Sequence, residues 1–319
     1  MDNKYLEKSI LSTICYFDIF DYPLTLLEVW QWLFTDSPIN QKVDLLTVKK
    51  TLEDSQYLND KLSFKDGFYF LKNRDDIVLT RLKRYVISGN KNKIAKHGVG
   101  ALKFLPFIKL VGLCNNSGNN NIRADSDIDL FITTSNNRLF TARFFVTLIM
   151  SLMRLRRHGR KITDRLCLSF YVSENDLNFS KIKIIDNDIY LVYWIANLFS
   201  LYDRGIYDKF LAQNEWIKNQ LPNYLPKTGS FWRKIDDHKL SQLSFKIWEY
   251  FLGGSLGDQL EKRLKKIQLF KMSQNNRSLA KENDSRVIIS DTMLKFHEND
   301  RRLFYQNIFL NKLKEITNE

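Results

Sequence analysis

Apolar positions in the first seventy residues form short helical stripes and then give way to an alternating pair of strands. Ile10, Leu11, Ile14 and Phe17 recur at helical spacing and predict a first helix. Thr25-Leu26-Leu27-Glu28 matches a capping box, which starts a second helix after Pro23 carrying Trp30, Trp32 and Leu33. A third helix is predicted from Asp44 through Val48 and Leu52 towards Tyr57. Leu62 and Phe64, then Phe68 and Phe70, alternate about Lys65-Asp66-Gly67, and an Asp-Gly pair between alternating segments signals a hairpin.

Three helices followed by a two-stranded ribbon are the order of a winged helix, so residues 1–74 are expected to form a winged-helix-like unit. Such a unit either binds DNA through its third helix or docks on a protein. Lys49 and Lys50 are balanced there by Glu53 and Asp54, which leaves both roles open. A helical connector over 75–106 carries Arg81, Lys83, Arg84, Lys91, Lys93 and Lys96, a charge run expected to be a solvated face. From Phe107 the pattern changes. An apolar run at 108–113, an Asn-rich loop, a strand at 128–132, an apolar helix over 138–155 and a strand at 166–172 predict an αβ core over 107–185. The region 186–319 reads as helical: 190–202, 206–221 stopped by Pro222, 240–252, a break at Gly253-Gly254, 259–271 and 303–316. Segment 275–285 reads as a polar loop, and Val287-Ile288-Ile289 is too short to assign. The expected class is α+β, a mixed sheet with helices between the winged-helix-like unit and a helical C-terminal region.

Chemistry concentrates in Ser126-Asp127-Ile128-Asp129-Leu130-Phe131. Side chains at i and i+2 of a strand share a face, so Asp127 and Asp129 stand side by side while Ile128 and Leu130 face the core. Neighbouring carboxylates repel unless a cation neutralises them, and such oxygen donors suit Mg²⁺. Mg²⁺ in turn bridges triphosphate oxygens. The polar loop before the strand offers backbone N–H groups to phosphates. The bland alternative has Asp125, Asp127 and Asp129 decorating a turn and an exposed strand start. The order apolar strand, small-polar loop, acidic strand and helix favours the metal.

That order resembles the nucleotidyltransferase superfamily, related to the palm of polymerase beta, over about residues 107–175. Its signature is an apolar strand, Gly-Ser, about ten residues, then Asp-x-Asp. The wider layout, with Arg143-Phe144-Phe145-Val146-Thr147 and Tyr202-Asp203, is similar to bacterial proteins that carry this domain behind a winged-helix unit. The resemblance implies that Asp127 and Asp129 are the catalytic, metal-binding pair. It puts the Gly-Ser position on Asn115-Asn116, with Ser117-Gly118 just downstream as the alternative source of the nucleotide-binding turn. The family's third carboxylate comes from a later strand. None lies in 166–172, and Asp164, Glu174 and Asp176 flank it. The implied activity is Mg²⁺-dependent transfer of a nucleoside monophosphate from an NTP, such as ATP, to an acceptor hydroxyl on a nucleic acid, a protein or a small molecule such as an aminoglycoside. The competing reading is a catalytically degenerate regulatory or binding protein that uses the winged helix for DNA or protein contact. A glycosyltransferase reading of the same motif lacks the preceding doubly wound nucleotide-binding half.

A net charge of +13 points to an anionic substrate or partner: a triphosphate, nucleic acid or an anionic membrane. Arg154, Arg156, Arg157, His158, Arg160 and Lys161 either take phosphates or form a solvated helix end stopped by Gly159. Lys262, Arg263, Lys265 and Lys266 are expected on a solvated face, and Trp194, Trp216, Trp232 and Trp248 in packing. Cys15, Cys114 and Cys167 show no CxxC spacing, which argues against a zinc site or disulfide framework, and Cys114 reads as a buried filler. The four histidines do not cluster. The longest uncharged apolar run, ten residues between Arg143 and Arg154, is too short to cross a bilayer, and the N-terminus lacks a secretory pattern. A cytoplasmic protein without a membrane partner is expected.

Overall fold

Thr25 and Glu28 cap each other as the sequence predicts: the Glu28 N–H donates to Thr25 Oγ1 (3.3 Å) and the Thr25 N–H to Glu28 Oε2 (2.9 Å). A computed structural model of the chain describes residues 3–36, 42–227, 234–274, 287–296 and 300–317; the expected loop 275–285, Trp232 and His297 lie outside them. The N-terminal elements are α1 (Asn3–Asp18), β1 (Leu24–Thr25), α2 (Leu26–Gln31), α3 (Leu45–Asp54), α4 (Gln56–Asn59), β2 (Leu62–Lys65) and β3 (Phe68–Leu71). β3 lies between β1 and β2, antiparallel to both. Asp66 and Gly67 both take positive φ (+52° and +83°), which matches the twist of a two-residue hairpin. The expected third helix breaks at Ser55, whose hydroxyl accepts from the Leu58 N–H (3.2 Å) and donates to Glu7 (2.6 Å), capping a new helix. Replacing Thr25→Ala removes one cap and is expected to cost about 1 kcal/mol in a urea unfolding titration; an unchanged midpoint would show that the cap contributes nothing.

α5 (Asp76–Leu102) corrects the expected solvated face. Arg81 grips Glu28 through two nitrogens (2.7 and 2.8 Å) and stacks on Tyr22. Arg84 reaches Asp21 (3.0 Å), and the buried Lys91 bonds Asp164 and the Ser126 carbonyl (both 2.7 Å). Lys83, Lys93 and Lys96 are exposed, as expected. The tethered cations face carboxylates brought from distant segments, which a linear charge run does not reveal.

The chain continues through β4 (Ile108–Leu113), α6 (Asn115–Gly118), β5 (Ile128–Thr134), α7 (Leu139–Leu152), β6 (Leu166–Ser173), α8 (Ile189–Ala196), β7 (Phe199–Asp203), α9 (Tyr207–Gln213), α10 (Lys239–Leu252), α11 (Ser255–Ser273), β8 (Val287–Ile289), β9 (Met293–Phe296) and α12 (Arg302–Thr317). A six-stranded sheet runs β7-β4-β5-β6-β9-β8, with β5 and β6 parallel and its other neighbouring pairs antiparallel. The fold is thus α+β with a mixed sheet, as expected. The C-terminal region is not helical throughout. The predicted helix 190–202 ends at Ala196, and Phe199–Asp203 turns back to pair with β4. β8 and β9 extend the opposite edge, so a three-residue apolar segment with no local signal becomes a strand by finding a partner.

Strand alternation assigns the two faces of the sheet. Ile128, Leu130 and Ile132 pack with Phe140, Val146 and Met150 of α7. Phe131 points the other way, into a core that also contains Phe17 of α1, Trp32 just after α2, Trp194 of α8 and Phe309 of α12. Asp129 shares parity with Phe131 and therefore points towards α8.

Candidate active site

Asp127 immediately precedes β5 and Asp129 is its second residue, so the period of two projects both carboxyls from one face. One carboxylate oxygen of each and the Cys167 Sγ lie within 4.8 Å of one another. Parallel pairing of β5 with β6 sets Asp129 opposite Cys167, which is how the thiol arrives there. Asp125, by contrast, is exposed and paired with Arg123 (3.1 Å).

Asp129 is held from several sides. Asn115 Nδ2 donates to its Oδ2 (3.1 Å), and its backbone N–H donates to Ser117 Oγ (3.1 Å). Tyr190 of α8 donates to Asn115 Oδ1 (3.1 Å), fixing which end of the amide faces the carboxylate. Burial, and then the charge of Asp127, push the Asp129 carboxyl up to about 6, against the opposing pull of Asn115 and Arg157. Arg157 Nη1 donates to Asp127 Oδ2 (2.6 Å) and lies 3.7 Å from Cys167 Sγ. Burial and Asp129 raise the Cys167 thiol to about 12.

The four residues of the expected nucleotide-binding turn separate in role. Asn115 adopts φ +52°, a left-handed conformation that Asn tolerates, and lines the cleft beside Asp129. Asn116 is exposed beside it. Ser117 is buried and supports the Asp129 backbone. Gly118 is buried too: a Cβ there would meet the Asn197 carbonyl oxygen at 2.3 Å, so the turn presses backbone to backbone on the end of α8. The rest of the loop is tied down, with Asn121 Nδ2 donating to the Phe20 carbonyl (2.9 Å) and Lys227 to the Gly118 carbonyl (2.9 Å).

None of the three flanking acids joins the pair. Asp164 is engaged by Lys91, Glu174 accepts from the Asn136 N–H (3.1 Å) past the far end of β6, and Asp176 bonds Thr292 (2.7 Å). Cys167 stands where a third donor would come from the neighbouring strand. Its place at the start of β6 is readable in the sequence, but its register opposite Asp129 is set only by the pairing of the two strands.

A cleft of about 690 Å³ opens over Asp129 and Cys167, and Arg143, Arg156, Arg157, Lys295, Arg301 and Arg302 line it. The predicted basic cluster divides: Arg156, Arg157 and His158 line the cleft, while Arg154, Arg160 and Lys161 are exposed outside it. The far wall was not visible in the sequence. There Lys295 of β9 bonds Asp300 (2.8 Å), and Arg302 bonds Asp300 (2.9 Å) and Asp188 (3.2 Å). Burial and Arg302 bring the Lys295 ammonium down to about 8, with Asp300 opposing. Despite burial, Arg302 and Lys295 hold Asp300 down at about 2. Of the tryptophans, Trp194 is buried beside the cleft and Trp216 packs on the same core, whereas Trp248 is half exposed.

Comparison of the chain with protein-family profiles, with curated proteins and with solved structures finds no match.

Proposed function

We propose that this chain is a divalent-metal-dependent nucleotidyltransferase, with Mg²⁺ as the ion that the carboxylate pair first suggests. It moves a nucleoside monophosphate from an NTP to an acceptor hydroxyl. The observation that carries the reading is the convergence of Asp127 on Asp129, which lines a cleft together with six cationic side chains. Two adjacent carboxylates are donors of the right chemistry for such an ion. When bound, the ion neutralises triphosphate oxygens and favours in-line displacement. Arg156, Arg157 and Arg301 are placed to take phosphate oxygens through charge-assisted hydrogen bonds. Asn115, with Asn116 at its side, borders the phosphate-binding end, while Ser117 and Gly118 hold the turn in place. The acceptor oxygen bonds to the α-phosphorus as the bond to the bridging oxygen breaks. Pyrophosphate leaves, and the hydroxyl proton passes to solvent.

The N-terminal order helix, strand, three helices, strand, strand, the last helix a single turn, supports a winged helix. Its third helix is not strongly basic, since Lys49 faces Glu53 (3.7 Å), and its core is shared with α8 and α12. Both features favour protein packing over DNA contact. Among the described residues no helix is long and apolar enough to cross a membrane, in keeping with a cytoplasmic enzyme.

A second reading, a degenerate transferase fold acting as a regulatory protein, is favoured by one observation: Cys167 occupies the place where a third acid would stand. Thermal unfolding with ATP, GTP, CTP or UTP, each with Mg²⁺ or with EDTA, tests the site itself. A metal-dependent upward shift in Tm is expected for the protein and not for Asp127→Ala/Asp129→Ala. Equal, metal-independent shifts in both would remove the site from consideration. Labelled NTP with cell extract then separates the readings, because the enzyme leaves label on an acceptor and the degenerate protein does not.

A further inference from the structure

We infer that Cys167 is the third protein donor of this metal site and that it turns the site's preference from Mg²⁺ towards thiophilic divalent ions such as Zn²⁺. The inference rests on the metal reading above and concerns which ion the chain selects.

Sγ and one oxygen of each aspartate are mutually within 4.8 Å. Donors bonded to one ion at roughly 2.0–2.3 Å stand about 3–4 Å apart, so small side-chain rotations bring the three together. The thiol does not sit on a loop that would drift: β5 on one side and β9 further along pin its strand. It is buried to 8% exposure yet borders the cleft, which lets it face an ion while being shielded from bulk solvent.

The Arg157 guanidinium lies against both the oxygen of Asp127 (2.6 Å) and the sulfur of Cys167 (3.7 Å). One cationic group thus already spans the carboxylate and the sulfur. Arg157 also lines the cleft and is partly exposed, so it can swing to phosphate when an ion takes over that charge. The chemistry of the donors decides the ion. Mg²⁺ demands oxygen ligands and keeps its waters, whereas a sulfur donor with carboxylates suits Zn²⁺ and its softer neighbours. As the sulfur–metal bond forms, the thiol proton leaves to solvent.

Cadmium is the probe, because a thiolate ligand gives it a sulfur-to-metal charge-transfer absorption in the ultraviolet. The full chain is titrated with Cd²⁺, and then with Zn²⁺ and Mg²⁺ by calorimetry, beside Cys167→Ser and Cys167→Asp. Circular dichroism checks that both variants fold, and either one alone suffices. The absorption is expected in the unaltered protein and absent in both variants. Zn²⁺ affinity should fall by about tenfold or more in Cys167→Ser, and Cys167→Asp should bind Mg²⁺ more tightly than the unaltered protein does. Absorption that persists in Cys167→Ser would belong to Cys15 or Cys114 and would overturn the inference. So would equal Zn²⁺ affinity with and without the thiol, although Mg²⁺ binding by the carboxylate pair would then still stand. If no divalent ion binds at all, with or without NTP, the metal reading itself fails along with the inference.

Discussion

Asp129→Asn will make the metal-free protein more stable at neutral pH while it removes divalent-ion binding. The native carboxyl is held up at about 6, chiefly by burial and secondly by Asp127. An acid whose folded pKa is raised costs stability once it ionises. Its favourable contribution is complete below the unfolded value near 4 and is lost as pH climbs through about 6. A shift of this size corresponds to roughly 2–3 kcal/mol between pH 4 and pH 7. The introduced amide does not titrate, and its oxygen can still accept the Asn115 hydrogen bond. Urea unfolding of the metal-free chains should therefore show the variant ahead by about 2 kcal/mol at pH 7.5, with the gap closing towards pH 4. Mg²⁺ affinity of the unaltered protein should rise with pH up to about 6 and then level off, because the carboxylate binds only when ionised, whereas affinity for an ion that takes the Cys167 thiolate should go on rising above that pH. A variant that is less stable than its parent at pH 7.5 would show that the carboxylate is not strained by its surroundings. A trade of stability for an ionised acid pair is what a functional site leads one to expect.

Arg302→Met will destabilise the fold by about 3–5 kcal/mol, the usual cost of leaving a buried charge without its partner. Arg302 is 4% exposed and binds three groups from different segments: Asp300 (2.9 Å), Asp188 (3.2 Å) and the Ile182 carbonyl (2.8 Å). Asp188 is itself buried, and its other oxygen caps α8 through the Leu191 N–H (3.0 Å). Methionine fills similar volume but leaves Asp188 and Asp300 to face each other, with Lys295 as the remaining nearby cation. Adding Asp188→Asn, which keeps the cap acceptor and removes one charge, should recover part of the loss. A cost below about 1 kcal/mol for Arg302→Met, with no recovery in the double variant, would mean that these ion pairs are incidental. The same residue fastens the start of α12 to α8 across the cleft, so the variant should also weaken triphosphate binding.

The sequence alone determined what depends on a few neighbouring residues. Thr25 and Glu28 lie three positions apart and cap one helix turn; Asp66-Gly67 closes a hairpin; Asp127 and Asp129 share a face because a strand alternates. Only the tertiary structure decided the rest, because each remaining feature needs a partner far along the chain. β7, β8 and β9 are strands because sheet edges supply their hydrogen bonds, and Arg81, Arg84 and Lys91 are tethers because carboxylates fold against them. Cys167 meets Asp129 through the register of two parallel strands, and Lys295 and Arg302 wall the cleft because the last strand and helix return to it. Periodicity says which way a side chain points; pairing and packing say what it meets.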